Sequence, residues 1–266
     1  MSDTPALFLS KADDFVAFAN HLADLARAEI RPHFRQPIDV VSKADASPVT
    51  VADRNAEAAM RKAIEAAYPD HGIFGEEYGP VRTDAPWQWI LDPVDGTKSF
   101  VAGLPIFGTL IALTYENTPV LGVIDQPIMA DRWLGATGRP TVFNGQPART
   151  NADRALKDAV VFTTYIDSFS ETEMAAFTTL RKAARINRMC GDCIAYGMVA
   201  SGFADLALDG RMQPYDYAAL GPVVAGAGGV VTDWEGKPLD MRGRSRVVAA
   251  ANPKLHEAAL QYLSGV

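Results

Sequence analysis

The sequence predicts a mixed α/β fold in two lobes, an N-terminal α+β lobe over residues 1–147 and a C-terminal α/β lobe over residues 148–266. Two observations point to it. Apolar residues recur at helical spacing as far as Tyr68 and then give way to short β-rich runs separated by Pro, Gly and Asn. After "NGQPART" (144–150), strand-like and helix-like runs alternate, which is the pattern of an α/β lobe.

Residues 12–34 place Phe15, Phe18, Ala19, Leu22, Leu25 and Ala26 on one helical stripe that ends near Pro32. A second helix follows in "VTVADRNAEAAMRKAIEAAY", with Asp53 near its start and Pro69 beyond its end. Next come "QWIL" (88–91), "GTLIALTY" (108–115), "PVLGVID" (119–125) and "DRWLGAT" (131–137), whose turn-rich links predict a meander. The second lobe opens on "AVVFTT" (159–164), a helix near 171–184, "INRM" (186–189) and a small-residue helix near 193–202. "ADLALD" (204–209), a helix near 216–228 and "GVVTDW" (229–234) complete it. "GAGG" (226–229) lacks the spacing of a dinucleotide loop and reads as the turn between that helix and that strand.

The chain has 266 residues, 48% of them hydrophobic, which is too apolar for a disordered protein. It carries 25 basic against 32 acidic residues, a formal charge of −7, with no basic run to follow a phosphate backbone or an anionic membrane. The start "MSDTPALFLSKADD" has no basic leader, and no apolar stretch reaches spanning length, so a cytoplasmic protein is expected. Cys190 and Cys193 form "CGDC", but His21, His33, His71 and His256 supply no second pair for zinc. Two small thiols near a packed turn in a reducing compartment fit better.

"DPVDGT" (92–97) carries the chemistry. An apolar run that stops there leaves Asp92 and Asp95 at a strand terminus, with Gly96 allowing a tight turn and Thr97 able to start a helix. Two carboxylates about 4 Å apart repel by roughly 4 kcal/mol at an effective dielectric near 20, so a cation is expected between them. Free backbone donors after Gly96 suit phosphate oxygens. Taken by itself the hexapeptide is also ordinary turn chemistry. Glu76 and Glu77 in "FGEEYG" and Asp216 in "QPYDYAAL" are further acidic candidates, Asp216 also fitting a plain N-cap. These are oxygen donors only, which selects a hard cation such as Mg²⁺.

"GEE" (75–77), "DPVDGT" (92–97) and "PYDYAALGPVVAGAGG" (214–229) resemble, in the same order, the signature segments of the inositol monophosphatase family of Mg²⁺-dependent, lithium-sensitive phosphatases. "KADASPVTVAD" (43–53) resembles the family's early segment. The resemblance implies a layered αβαβα sugar-phosphatase fold with the metal site between the lobes. It implies that Glu76, Asp92, the Val94 carbonyl, Asp95 and Asp216 ligate Mg²⁺ in two tight sites and a looser third. Gly96 and Thr97 match the phosphate-binding amides, and Thr97 and Asp53, with Glu76 beside them, match the groups that activate water for direct in-line attack. The family's frequent dimers imply a homodimer here.

"DGTKSF", "GDCIAYGMVASGFADL" and "PYDYAAL" resemble the family's histidinol-phosphate phosphatases. The resemblance therefore implies a small phosphomonoester, L-histidinol phosphate, as substrate. Inositol 1-phosphate or a broad range of sugar phosphates is the alternative, and a 3′(2′),5′-bisphosphate nucleotide is a more distant one. Arg188, Gly191, Asp192, Cys193 and Asp209 are the substrate-side candidates. The two aspartates suit an ammonium or imidazole, although Arg188 could instead pair with Asp192 and Asp209 could be a turn residue before Gly210.

Overall fold

The computed structural model describes residues 4–37, 41–42, 48–239 and 241–266. Residues 43–47, part of the "KADASPVTVAD" segment, lie outside them. The chain opens with α1 (Thr4–Leu9) and α2 (Ala12–Ile30). A 3-10 turn at Arg31–His33 replaces the last turn of the expected helix where Pro32 removes a backbone donor. A short antiparallel pair, β1 (Val41–Ser42) and β2 (Pro48–Val49), leads into α3 (Val51–Ala67). Thr50 and Asp53 form a reciprocal capping box at the start of α3.

The first sheet comprises β3 (Gly72–Gly75), β4 (Gly79–Val81) and β5 (Trp87–Asp95), then, after α4 (Thr97–Val101), β6 (Gly108–Tyr115), β7 (Thr118–Gln126), β8 (Asp131–Ala136), β9 (Arg139–Phe143) and β10 (Gln146–Pro147). Its eight strands run in the order β10-β9-β8-β7-β6-β5-β3-β4. From β5 to β10 each pairing is antiparallel, as the meander pattern predicts. β3 joins β5 in parallel and turns back as β4.

The second sheet holds β11 (Val160–Thr163), then, after α5 (Glu171–Ala183), β12 (Ile186–Met189). α6 (Asp192–Ala200), β13 (Leu206–Met212), α7 (Pro214–Tyr217), α8 (Leu220–Gly226), β14 (Val230–Asp233), β15 (Ser245–Ala250) and α9 (Pro253–Leu263) follow. Its strand order is β12-β11-β13-β15-β14. The helix expected over 216–228 is two helices, α7 and α8, and β15 and α9 lie beyond the last element read from the sequence.

Alternation along the strands sorts the core into layers. Trp89, Leu91, Ile111, Leu113, Leu121 and Val123 face α2 and α3. Their neighbours Ile90, Leu110, Ala112, Ile124 and Trp133 face α6, α8 and the second sheet. The far side of that sheet, through Val161, Leu206, Leu208 and Val248, packs on α5 and α9. The result is αβαβα, and period two explains it: a sheet covered on both faces needs apolar side chains at every position. A Cβ on Gly122 would lie 2.1 Å from the Ala219 carbonyl oxygen and one on Gly135 2.2 Å from that of Pro222, so glycine lets α8 lie directly on the sheet.

Candidate active site

The strand does not stop at Asp92. β5 continues to Asp95, with a register shift between the Asp92–Leu110 and Asp95–Gly108 pairs. The bulge absorbs Pro93, which has no N–H for the ladder, and turns both carboxylates toward one side. Thr109 Oγ1 donates to the Pro93 carbonyl at 2.8 Å and Val94 N to Asp92 Oδ1 at 3.0 Å, which fixes the kink. Asp216 arrives from α7, and ligand atoms of Asp92, Asp95 and Asp216 lie within 4.8 Å of one another. Asp216 is not the N-cap residue. It is the third residue of α7 and accepts from the Gln213 N–H at 2.7 Å in a capping box.

Burial, then Glu76, Asp95 and Asp216, raises the Asp92 carboxyl well above its usual range. Burial, then Asp192 and Asp216, does the same to Asp95. Burial pushes Asp216 up to about 7, with Glu76 adding to the rise. Carboxylates this crowded hold protons unless a cation offsets their charge. The donor set is all oxygen, so the residues present fit a hard divalent ion.

Glu76 stands in the turn between β3 and β4, its N–H donating to the Leu91 carbonyl at 3.2 Å. Gly96 takes φ +88° before α4. A Cβ there would lie 2.7 Å from Asp192 Cγ, so both the backbone and the space require glycine. Thr97 Oγ1 lies 3.0 Å from the Val94 carbonyl and 3.3 Å from Asp53 Oδ1. The other Asp53 oxygen accepts from Thr50 N at 2.9 Å and Thr50 Oγ1 at 2.5 Å, leaving Oδ1 aimed at Thr97. Burial, partly offset by these bonds, raises the Asp53 carboxyl.

A cavity of about 200 Å³ adjoins the cluster, lined by Asp95, Tyr165, Asp192, Cys193, Asp209 and Asp216 among others. Gly191 precedes α6 as its N-cap residue. Asp192 accepts from Ser99 Oγ at 2.6 Å, so its partner is Ser99 and not Arg188. Arg188 sits on the exposed edge strand β12 and does not line this cavity. The Cys193 N–H donates to Asp95 Oδ2 at 2.6 Å. Its thiol is buried, while that of Cys190 is exposed. Asp209 is no simple turn residue: it accepts from Thr164 N at 2.6 Å and Tyr196 Oη at 2.9 Å, and burial raises it to about 6. A larger cavity of about 840 Å³, lined by residues of α8 and the β8–β9 turn, holds none of these carboxylates.

A model of the inositol monophosphatase family matches residues 11–266. The chain belongs to the inositol monophosphatase family, and with it to the phosphoric monoester hydrolases. It is similar to the chloroplastic bifunctional phosphatase IMPL2 of Arabidopsis thaliana, 44% identical over 96% of this chain and 76% of that one. A histidinol-phosphatase of Chlorobaculum parvum is 38% identical over 81% of this chain and 83% of its own. Among solved structures, an inositol monophosphatase from Zymomonas mobilis superposes with a TM-score of 0.87 at 43% identity, covering 94% of this chain and 98% of the other.

In this inositol monophosphatase family member the sequence motifs did not disclose what holds them in place. Glu57 of α3 is fully buried, accepts from the Glu77 and Tyr78 N–H groups at 2.7 and 3.2 Å, and so fixes the turn that carries Glu76. Arg61 Nε lies 2.7 Å from Glu57 and balances its charge. A Glu–Arg pair at i, i+4 is also common on solvated helix faces, so spacing gave no sign of this use.

Proposed function

We propose that this family member is a magnesium-dependent histidinol-phosphate phosphatase that hydrolyses L-histidinol phosphate by attack of water. The observation that carries the metal-dependent part is the all-oxygen cluster of Asp92, Asp95 and Asp216 beside Gly96, Thr97 and Asp53. Asp92, Asp95, Asp216, Glu76 and the Val94 carbonyl would hold Mg²⁺. When bound, the metal supplies positive charge to the phosphoryl oxygens and acidifies water.

The chain's own groups orient the attack. Backbone N–H groups of Gly96 and Thr97 receive phosphoryl oxygens. Thr97 Oγ1, within reach of Asp53 Oδ1, accepts the water's proton as it passes its own to that carboxylate. A carboxyl raised by burial is the stronger base for this step. No side chain need form a covalent phosphoenzyme.

The substrate assignment is supported by the likeness to histidinol-phosphatases and by Asp192 and Asp209 in the adjoining cavity, acceptors suited to an ammonium and an imidazole. A second reading, an inositol-phosphate phosphatase, is favoured by the likeness to the Zymomonas mobilis inositol monophosphatase. Phosphate release with Mg²⁺ from histidinol phosphate, inositol 1-phosphate and adenosine 3′,5′-bisphosphate, compared as kcat/KM, decides between them. A clear preference for histidinol phosphate is expected, and a flat or inositol-favouring profile overturns the substrate assignment. A homodimer accompanies this proposal by family resemblance, with light scattering as the check on stoichiometry, and a cytoplasmic location is proposed with it.

A further inference from the structure

Tyr165 lines the 200 Å³ cavity together with Asp192, and Lys98 reaches over its ring. Lys98 is the second residue of α4, directly after Thr97, whereas Tyr165 follows β11 in the second lobe. The Lys98 Nζ stands 3.7 Å from the centroid of the Tyr165 ring. This is well inside the roughly 6 Å over which a cation is attracted to an aromatic face. Tyr165 is 46% exposed, so core packing does not account for the placement of its ring. The Asp192 carboxylate lines the same cavity as this ring; burial raises its carboxyl, and the Ser99 hydrogen bond and then the Lys98 charge partly offset the rise. A cation in this corner therefore meets an aromatic face and a carboxylate together.

We propose that the Tyr165 ring, with Asp192, is the docking corner for the positively charged end of a leaving group, in the position now held by the Lys98 ammonium. The proposal rests on the phosphatase function above and adds a recognition residue to it: the favoured substrates are phosphomonoesters whose alcohol half carries a cation. Lys98 can vacate the corner, because it is an exposed point charge on a flexible four-carbon stem. An uncharged polyol gains nothing from the ring's quadrupole, so the corner separates charged from neutral leaving groups.

The test measures kcat and KM for wild type, Tyr165→Phe and Tyr165→Ala on histidinol phosphate, O-phosphoethanolamine, inositol 1-phosphate and glycerol 2-phosphate. Tyr165→Ala is expected to raise KM for the two cationic esters roughly threefold to tenfold and to lower the cationic-to-neutral ratio of kcat/KM by that factor. Tyr165→Phe keeps the aromatic face and should stay near the wild-type ratio. Equal losses on all four esters would assign Tyr165 a structural role, and an unchanged ratio would remove it from recognition; either result overturns the proposal. If wild type prefers inositol 1-phosphate to histidinol phosphate but Tyr165→Ala still lowers the phosphoethanolamine-to-glycerol-phosphate ratio, the histidinol assignment fails and the corner stands. If histidinol phosphate is preferred equally by wild type and Tyr165→Ala, the assignment stands and the corner fails.

Discussion

The Ser99 hydroxyl donates to Asp192 Oδ2 at 2.6 Å, joining α4 to the first residue of α6. Asp192 is buried and takes a positive φ of 41°, so this one bond both satisfies its carboxylate and holds a backbone that few residues adopt. Ser99→Ala should therefore destabilise the protein by about 1–3 kcal/mol, the range for a buried acceptor left without its donor. Urea unfolding measures it; a midpoint equal to wild type would show that Asp192 finds another partner.

Asp95→Asn removes a negative charge from a site where burial and neighbouring carboxylates already disfavour it. The variant should remain folded, melt no lower than wild type without metal, and lose the rise in melting temperature that Mg²⁺ gives wild type. Turnover should fall at least about a hundredfold. Wild-type turnover in saturating Mg²⁺ would sink the ligand assignment.

Glu57 bears on the proposed metal site through the turn that carries Glu76. Glu57→Ala leaves Arg61, a largely buried cation, without its carboxylate and should cost about 3 kcal/mol of stability. Its second consequence is specific to position: the Mg²⁺ concentration for half-maximal turnover should rise several-fold, with much of kcat restored at high Mg²⁺. Isothermal titration with Mg²⁺ provides the independent readout, and unchanged affinity would make Glu57 a purely structural residue.

His71 accepts from Trp89 Nε1 through Nδ1 at 3.2 Å, which requires the neutral ring. Burial first, then Lys11, lowers its pKa to about 4 from an ordinary 6.5. The unfolded chain thus takes up a proton before the folded one does. The stability His71 contributes is complete above pH 6.5 and is lost as pH falls toward 4. It amounts to about 1–2 kcal/mol once solvent screening is discounted. His71→Leu should lower the melting temperature at pH 7.5 and flatten its decline between pH 6.5 and 4; a variant curve parallel to wild type would refute the link.

The layered fold was legible wherever burial imposes a period. β6 occupies the run 108–115 that the sequence marked, and β7 and β8 differ from theirs only at the ends. β3 and β4 passed unread because four and three residues rich in Gly and Pro are too short to show alternation. β5 ran past its expected end because an antiparallel strand tolerates Pro at a bulge, and no local pattern distinguishes a bulge from a stop.

By itself the sequence determined the mixed α/β class, the metal-suited chemistry of Asp92 and Asp95, and the family, since each is carried by short runs of residues that keep their order along the chain. Only the tertiary structure decided that ligand atoms of Asp92, Asp95 and Asp216 come within 4.8 Å of one another, that Ser99 and not Arg188 holds Asp192, and that Glu57 anchors the Glu76 turn. The reason is physical. Periodicity and turn chemistry act over a few residues and report which side is buried. A carboxylate's partner, and so its charge and direction, depends on which distant segments the packed layers bring within hydrogen-bond reach.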